Sequence, residues 1–362
     1  MCDCPLPGNA AVPSPASTIT NIRSLYLTEI RMRDGPEASV SLSNGISVQT
    51  DRGTFRLDPG RTVQGEVNFI SHAHADHLPR GGDELSVVST RKTLELAEHR
   101  TGKKFTLAED RRVALLDAGH VPGSAMALIE DGRRFLYTGD FCTRRKVYLE
   151  PARAVKTDIL LIESTYALPR YSFPDPLELS GVIRDWVSDA LASGNSVFFT
   201  VYPLGKAQEV ETLLRGLPLC ADASVQAHNR IVFGDCGEWI GDIGDARGES
   251  VFICSSRSSL SKLRPGLKSG MLFATVSGWS VDDWFRRCNG LDEAFPLSDH
   301  CDHDDLLSFV RECDPDVVYT MHGFAEEFAE ELRRDMQIEA HALSRRSDRQ
   351  SGGRKQKKLD TF

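Results

Sequence analysis

Apolar and polar positions alternate in short runs between Ile22 and Asp58 (ASVSLS, GISVQT, GTFRLD), broken at Asn44-Gly45 and Arg52-Gly53. Period-two patterning between Gly-containing turns predicts strands joined by hairpins. The apolar run Val67 to Ile70 predicts a buried strand that ends where Ser71-His72-Ala73-His74-Ala75-Asp76-His77 begins. Apolar Leu94, Leu96 and Ala97 place a helix over Thr90 to Arg100. The segment RRVALLDAGHVPGSAMALIEDGRRFLYTGDF reads as strand, loop, strand, turn, strand, with His120 in the first loop and Asp140 after the last strand. Helical spacing of Val182, Ile183, Trp186, Val187 and Ala190 predicts an amphipathic helix over Leu177 to Leu191. A buried strand at 195–201 and a helix at 207–214 follow, with further strands at IVFGD, SVFICSS and GMLFATVSGW. Strands alternating with helices make this an α/β chain.

A length of 362 residues is enough for two cores, and 40% hydrophobic with 26% charged residues is ordinary for a globular protein. No apolar stretch is long enough to cross a membrane, so no membrane partner is expected. The opening MCDCPLPGNAAVPSPAST lacks a basic region ahead of an apolar core, so it does not read as a secretory signal. It reads as a disordered leader over residues 1–20, in which Cys2 and Cys4 carry no assigned role. Nine cysteines without CxxC pairs suggest free thiols in a reducing cytoplasm.

The net charge of −9 is unevenly spread: residues 161–344 carry 15 Lys+Arg against 30 Asp+Glu, and the last 18 carry 7 against 2. An acidic body argues against indiscriminate nucleic-acid binding, which needs clustered Lys and Arg.

On an extended backbone His72 and His74 project to one side, where both imidazoles reach one metal. Asp76 and His77 fall after the strand and offer a pair to a second ion. Gly119 and Pro122 frame His120 in a tight loop, and Asp140 emerges after Gly139, where a carboxylate bridges two cations. At Tyr202-Pro-Leu-Gly205-Lys206, a strand, a Gly turn, a Lys and a helix start describe a phosphate cradle. Gly205 and Lys206 are therefore the substrate-binding candidates, with a plain helix-capping turn as the alternative, since the leading Gly and trailing Ser/Thr of a Walker loop are missing.

SHAHADH, AGH and YTGDF, in this order, resemble the ligand motifs of the metallo-β-lactamase fold. Asp158-Ile-Leu-Leu-Ile-Glu163-Ser-Thr-Tyr, Pro296-Leu-Ser-Asp299-His300-Cys-Asp302 and Tyr319-Thr-Met-His322-Gly323 resemble the three signatures of its β-CASP nucleases. Through ESTYALPRYSFPDP, YPLGKAQE and LSDHCD the chain is similar to short ligase-associated DNA exonucleases. It also resembles archaeal mRNA 3′-end processing factors. The resemblance implies an αββα sandwich carrying an inserted α/β cap: leader 1–20, sandwich 21–173 and 296–345, cap 174–295, tail 346–362. It implies two zinc ions, with manganese as a substitute. His72, His74 and His120 would hold one, Asp76, His77 and His322 the other, and Asp140 would bridge them. His300 would be the general acid and Glu163 its supporting carboxylate, and Asp76 also counts among the catalytic residues. Asp302 is expected to support the site as Glu163 does. His303 is left at the surface, and His99, His228 and His341 carry no site role.

Three functions follow from this resemblance: a DNA exonuclease in repair or replication, favoured; an RNA 3′-end processing nuclease; and an inactive scaffold subunit. His322 and Glu163 fit the RNA branch, but nothing in residues 1–40 provides the GxxG clamp of a KH module. Intact ligands at every metal position argue against the scaffold. A small-molecule hydrolase would not need the insertion or His300. The expected partner is single-stranded nucleic acid, DNA before RNA. The tail adds a second partner: Gln356, Leu359 and Phe362 resemble the PIP box that docks on the sliding clamp PCNA. One turn of tight helix puts Leu359 and Phe362 on one side as an apolar plug.

Overall fold

The computed structural model describes residues 38–343 except 83–84, 235–239, 265–266 and 268–269. Cys2, Cys4, Gln356, Leu359 and Phe362 lie outside the described residues.

Three hairpin-linked strands, Ser39–Leu42, Ile46–Thr50 and Gly53–Leu57, pair antiparallel, as their alternation predicts. Val67–Phe69 joins Gly53–Leu57 in parallel and completes a four-stranded sheet. A six-stranded sheet runs in the order Glu339–Ala342, Val317–Met321, Ile159–Glu163, Arg133–Tyr137, Ala125–Asp131, Val113–Asp117. Its first four strands are parallel, and Ala125–Asp131 runs antiparallel to both its neighbours.

These two sheets pack face to face. Phe55, Leu57 and Phe69 from the first meet Ile129, Phe135, Tyr137 and Leu161 from the second in one buried cluster. Each such side chain contributes about 1.5–3 kcal/mol on leaving water. The helices His303–Cys313 and Ala325–Asp335 cover the other face of the six-stranded sheet through Phe309, Val310, Phe328 and Leu332. The helix Arg91–Thr101, capped by Thr90 and closed by Gly102, packs Leu94, Leu96 and Ala97 on Ile70 and Ala73.

Residues 196–295 build a third, wholly parallel six-stranded sheet. The helices Pro176–Ala192 and Lys206–Leu213 bury Ile183, Val187, Ala207 and Val210 against it. One strand expectation fails here: Ile231, Val232 and Phe233 end the helix Ala223–Phe233. Asp222 starts that helix by accepting from Val225 N, and the local cap outweighs the β-branched propensity of its last turn.

Candidate metal centre

In the six-stranded sheet the chain leaves the carboxyl ends of four co-directed strands on one edge. Those ends deliver His120, Asp140, Glu163 and His322, and Val67–Phe69 delivers the His72–His77 segment to the same place. Open sheets collect functional groups at this edge because loops there converge while the strands stay rigid.

Hydrogen bonds fix which nitrogen of each ring carries the proton. His120 Nδ1 lies 2.9 Å from the Asp299 carbonyl, which only accepts, so Nδ1 is protonated and Nε2 bears the lone pair. His74 Nε2 donates to Leu204 O at 3.3 Å, leaving Nδ1 bare. His77 Nδ1 donates to Asp58 Oδ2 at 2.6 Å, which turns Nε2 toward Asp140. Ser71 Oγ gives its proton to Asp58 Oδ2 at 2.5 Å and so accepts from His72 Nδ1 at 2.9 Å. His72 Nε2 is then a fully buried lone pair with no hydrogen-bond partner. Three bare nitrogens, of His72, His74 and His120, thus face a shared space, the ligand state a cation requires. Burial, followed by repulsion from the neighbouring rings, holds the pKa of His72 well below its ordinary value. Burial does the same for His120.

Asp140 joins two ligand sets. His72, His74, His120 and Asp140 offer atoms within 4.8 Å of one another, and so do His77, Asp140 and His322. Its Oδ2 lies 3.6 Å from His72 Nε2, 3.5 Å from His77 Nε2 and 3.8 Å from His120 Nε2. Burial pushes the His77 pKa down, but Asp140 and Asp58 outweigh it and raise the ring to about 10. His322 sits at a φ of 59° and Gly323 at 50°. A Cβ on Gly323 would lie 2.4 Å from Ser164 O, so glycine is required there. Ser164 Oγ clamps the turn by donating to Met321 O at 2.8 Å and His322 O at 2.7 Å. The buried orphan nitrogen, the converging lone pairs and the shared carboxylate fit divalent cations, and nitrogen-rich sets of this kind suit zinc.

His300 stands at the rim of this cluster. Its Nδ1 meets Glu163 at 2.8 and 2.9 Å, and Glu163 is itself held by Phe141 N at 2.9 Å and Thr165 Oγ1 at 2.5 Å. Burial lowers the His300 pKa, but Glu163 and the more distant Asp140 and Asp299 raise it to about 9. His300 Nε2 lies 3.7 Å from Asp299 Oδ1.

Other residues fall elsewhere. Asp76 is exposed and belongs to neither ligand set, because the turn that bonds His77 N to His74 O sends His77 inward and Asp76 outward. Lys206 Nζ is buried on Leu297 O at 2.8 Å, with Glu209 and Asp299 at 3.5 Å. Gly205 N already donates to Gln208 Oε1 at 2.7 Å. Asp302 does not touch His300: it caps the helix His303–Cys313 and binds Arg144 and Phe173 N. His303, expected at the surface, is buried, with Nε2 2.9 Å from Glu331. His228 is buried as well, packed edge-on to His99, and His341 pairs with Glu339 at 2.9 Å. Sequence reasoning missed Asp58, which receives Ser71 N, Ser71 Oγ, Tyr137 OH and His77 Nδ1. An Asp closing a strand before Pro59-Gly60 reads as a turn. Only the pairing of Gly53–Leu57 with Val67–Phe69 brings it beside the histidines.

No protein-family model matches the chain. Over 297 residues the chain is 34% identical to a protein of Opitutus terrae named probable DNA ligase, covering 76% of this chain and 28% of that protein. Over 247 residues it is 27% identical to an RNase J-like protein of Methanocaldococcus jannaschii, covering 54% of this chain and 58% of that one. The chain therefore spans less than two thirds of the length of these curated relatives. Its fold is similar to the crystal structure of a protein of unknown function from Enterococcus faecalis, with a TM-score of 0.59 over 85% of this chain and 97% of that one at 14% identity. With the ordered His/Asp motifs brought together at one sheet edge and these relatives, the chain belongs to the metallo-β-lactamase-fold β-CASP nuclease family.

Proposed function

We propose that this protein is a zinc-dependent nuclease that hydrolyses phosphodiester bonds in single-stranded nucleic acid, with DNA the favoured substrate and exonucleolytic repair or replication its setting. The observation that carries this reading is the position of Asp140 in both histidine sets. On this reading residues 21–173 and 296–345 are the two parts of an αββα metallo-β-lactamase sandwich, and 174–295 is a β-CASP cap over its edge. One zinc would sit among His72, His74 and His120 and the other among His77, His322 and Asp76, the last after its side chain turns inward, with Asp140 between them. Bound there, the ions would neutralise charge growing on the phosphate and lower the pKa of an attacking water.

The protein's own groups do the rest. Asp58 orients His77, whose Nε2 proton a bound cation would displace, and Ser71 relays the same carboxylate to His72. Glu163 aims His300, whose Nε2–H protonates the leaving oxygen as the P–O bond breaks and its electron pair moves to that oxygen. A pKa near 9 keeps this proton in place at neutral pH. All six described cysteines are free, which fits a reducing, cytoplasmic setting.

The match to part of a protein named a probable DNA ligase favours DNA. The RNase J-like relative keeps RNA processing as the second reading. Time-resolved digestion of end-labelled single-stranded DNA and RNA of one sequence separates them, and faster RNA cleavage would reverse the order. The C-terminal Gln356, Leu359 and Phe362 would dock on the sliding clamp PCNA. Equal binding to PCNA by the full chain and by a Leu359→Ala/Phe362→Ala variant, measured by calorimetry, would remove that partner.

A further inference from the structure

The turn 204–206 touches three parts of the centre. Leu204 O accepts from His74 Nε2 at 3.3 Å. Gly205, at a φ of 94°, packs so closely on the His120 loop that a Cβ would lie 2.5 Å from Val121 Cγ1. Lys206 Nζ reaches across to the loop before His300, bonding Leu297 O at 2.8 Å and lying 3.5 Å from Asp299 Oδ1. Tyr148 OH pins Gly205 O from outside at 2.8 Å.

Asp299 Oδ1 is thus shared between two cations: Lys206 at 3.5 Å and His300 Nε2 at 3.7 Å. Asp299 and Lys206 are both buried, so each needs a partner. His300 Nε2 is the nitrogen whose proton the leaving oxygen takes. A bare buried carboxylate beside it would capture that N–H and turn the ring away from the phosphate. Lys206 meets the charge of Asp299 and removes that competition. The same ammonium faces Glu209 and a carbonyl, so it has no open side for a phosphate.

We propose that Lys206 is a positioning residue for the leaving-group acid: by neutralising Asp299 and tying residues 297–299 to the helix Lys206–Leu213, it keeps His300 Nε2 free and aimed at the leaving oxygen. This rests on the reading of His300 as general acid. It gives the insertion a direct hold on the chemical step, since the turn 204–206 and the acid's loop are joined through one side chain.

The test compares an ordinary strand with strands whose bridging leaving oxygen is sulfur, in both 3′- and 5′-bridged forms. A thiolate leaves without a proton, so a step limited by protonation is relieved. Lys206→Met should lower kcat on the oxygen strand about 10- to 100-fold with little change in KM. On the sulfur strand it should run within about twofold of wild type, which also shows that the variant folds. Lys206→Arg should restore most of the oxygen-strand rate. An equal kcat loss on both strands would make Lys206 merely structural, and a raised KM on both would make it a phosphate ligand; either result overturns the proposal. His300→Ala is run in parallel. If sulfur fails to rescue that variant, the general-acid reading falls and takes the proposal with it. If sulfur rescues His300→Ala and leaves Lys206→Met slow, only the proposal falls.

Discussion

Asp58 Oδ2 lies 2.6 Å from His77 Nδ1, and the same oxygen receives Ser71 Oγ and Tyr137 OH. One carboxylate therefore orients the ring of His77 directly and sets the tautomer of His72 through Ser71. Asp58→Asn replaces an acceptor that serves three donors with a group that can itself donate. Supporting carboxylates of this kind are worth roughly 10- to 100-fold in metal affinity. Zinc titration of the Asp58→Asn protein against a competing chelator should show a loss of that order with the fold retained. Unchanged affinity would show that Asp58 is structural only.

His300 carries its proton up to about pH 9. As the proposed leaving-group acid His300 has to hold that proton, so kcat should be level below this value and fall as pH rises through it. His300→Ala should lose about 10²- to 10⁴-fold in rate, keep its zinc and lack the alkaline limb. If zinc is lost with the ring, His300 is a ligand and the acid lies elsewhere.

A third expectation concerns stability alone. Glu211 is buried, accepts from Asn229 Nδ2 at 3.0 Å, and leaves Oε2 without a partner. Burial raises its pKa from an ordinary 4.5 to about 8, against a smaller lowering by Asn229. The folded state thus holds a proton that the unfolded state has lost. Its contribution is complete below pH 4.5, declines above that, and is gone once pH passes 8. Glu211→Gln removes this decline. Between pH 5 and pH 8 the variant should gain about 1–3 kcal/mol relative to wild type in urea unfolding. A constant difference across that range would contradict the assignment.

The centre was legible because its ligand types sit where strands end. His72, His74, His77, His120, Asp140, Glu163, His300 and His322 follow apolar runs or Gly turns, and a run of four or five apolar residues marks a strand. What stayed hidden depends on partners distant in sequence. Lys206 reads as a phosphate contact until Asp299 is found beside it. His303 reads as surface until the helix Ala325–Asp335 brings Glu331 to it. Asp58 needs a parallel strand pair that no local pattern announces. Residues 231–233 misled for another reason: β-branched and aromatic side chains favour a strand locally, and a helix begun at Asp222 overrides them.

In the proposed mechanism one carboxylate, Asp140, organises two cation sites for phosphodiester hydrolysis. Its most direct test is the turnover of end-labelled single-stranded DNA by zinc-loaded wild-type protein and by Asp140→Ala, read with the zinc content of each. Wild-type protein should hold about two zinc ions per chain, and the folded variant should bind less zinc and show no measurable cleavage. An Asp140→Ala protein that cleaves at close to the wild-type rate would contradict it.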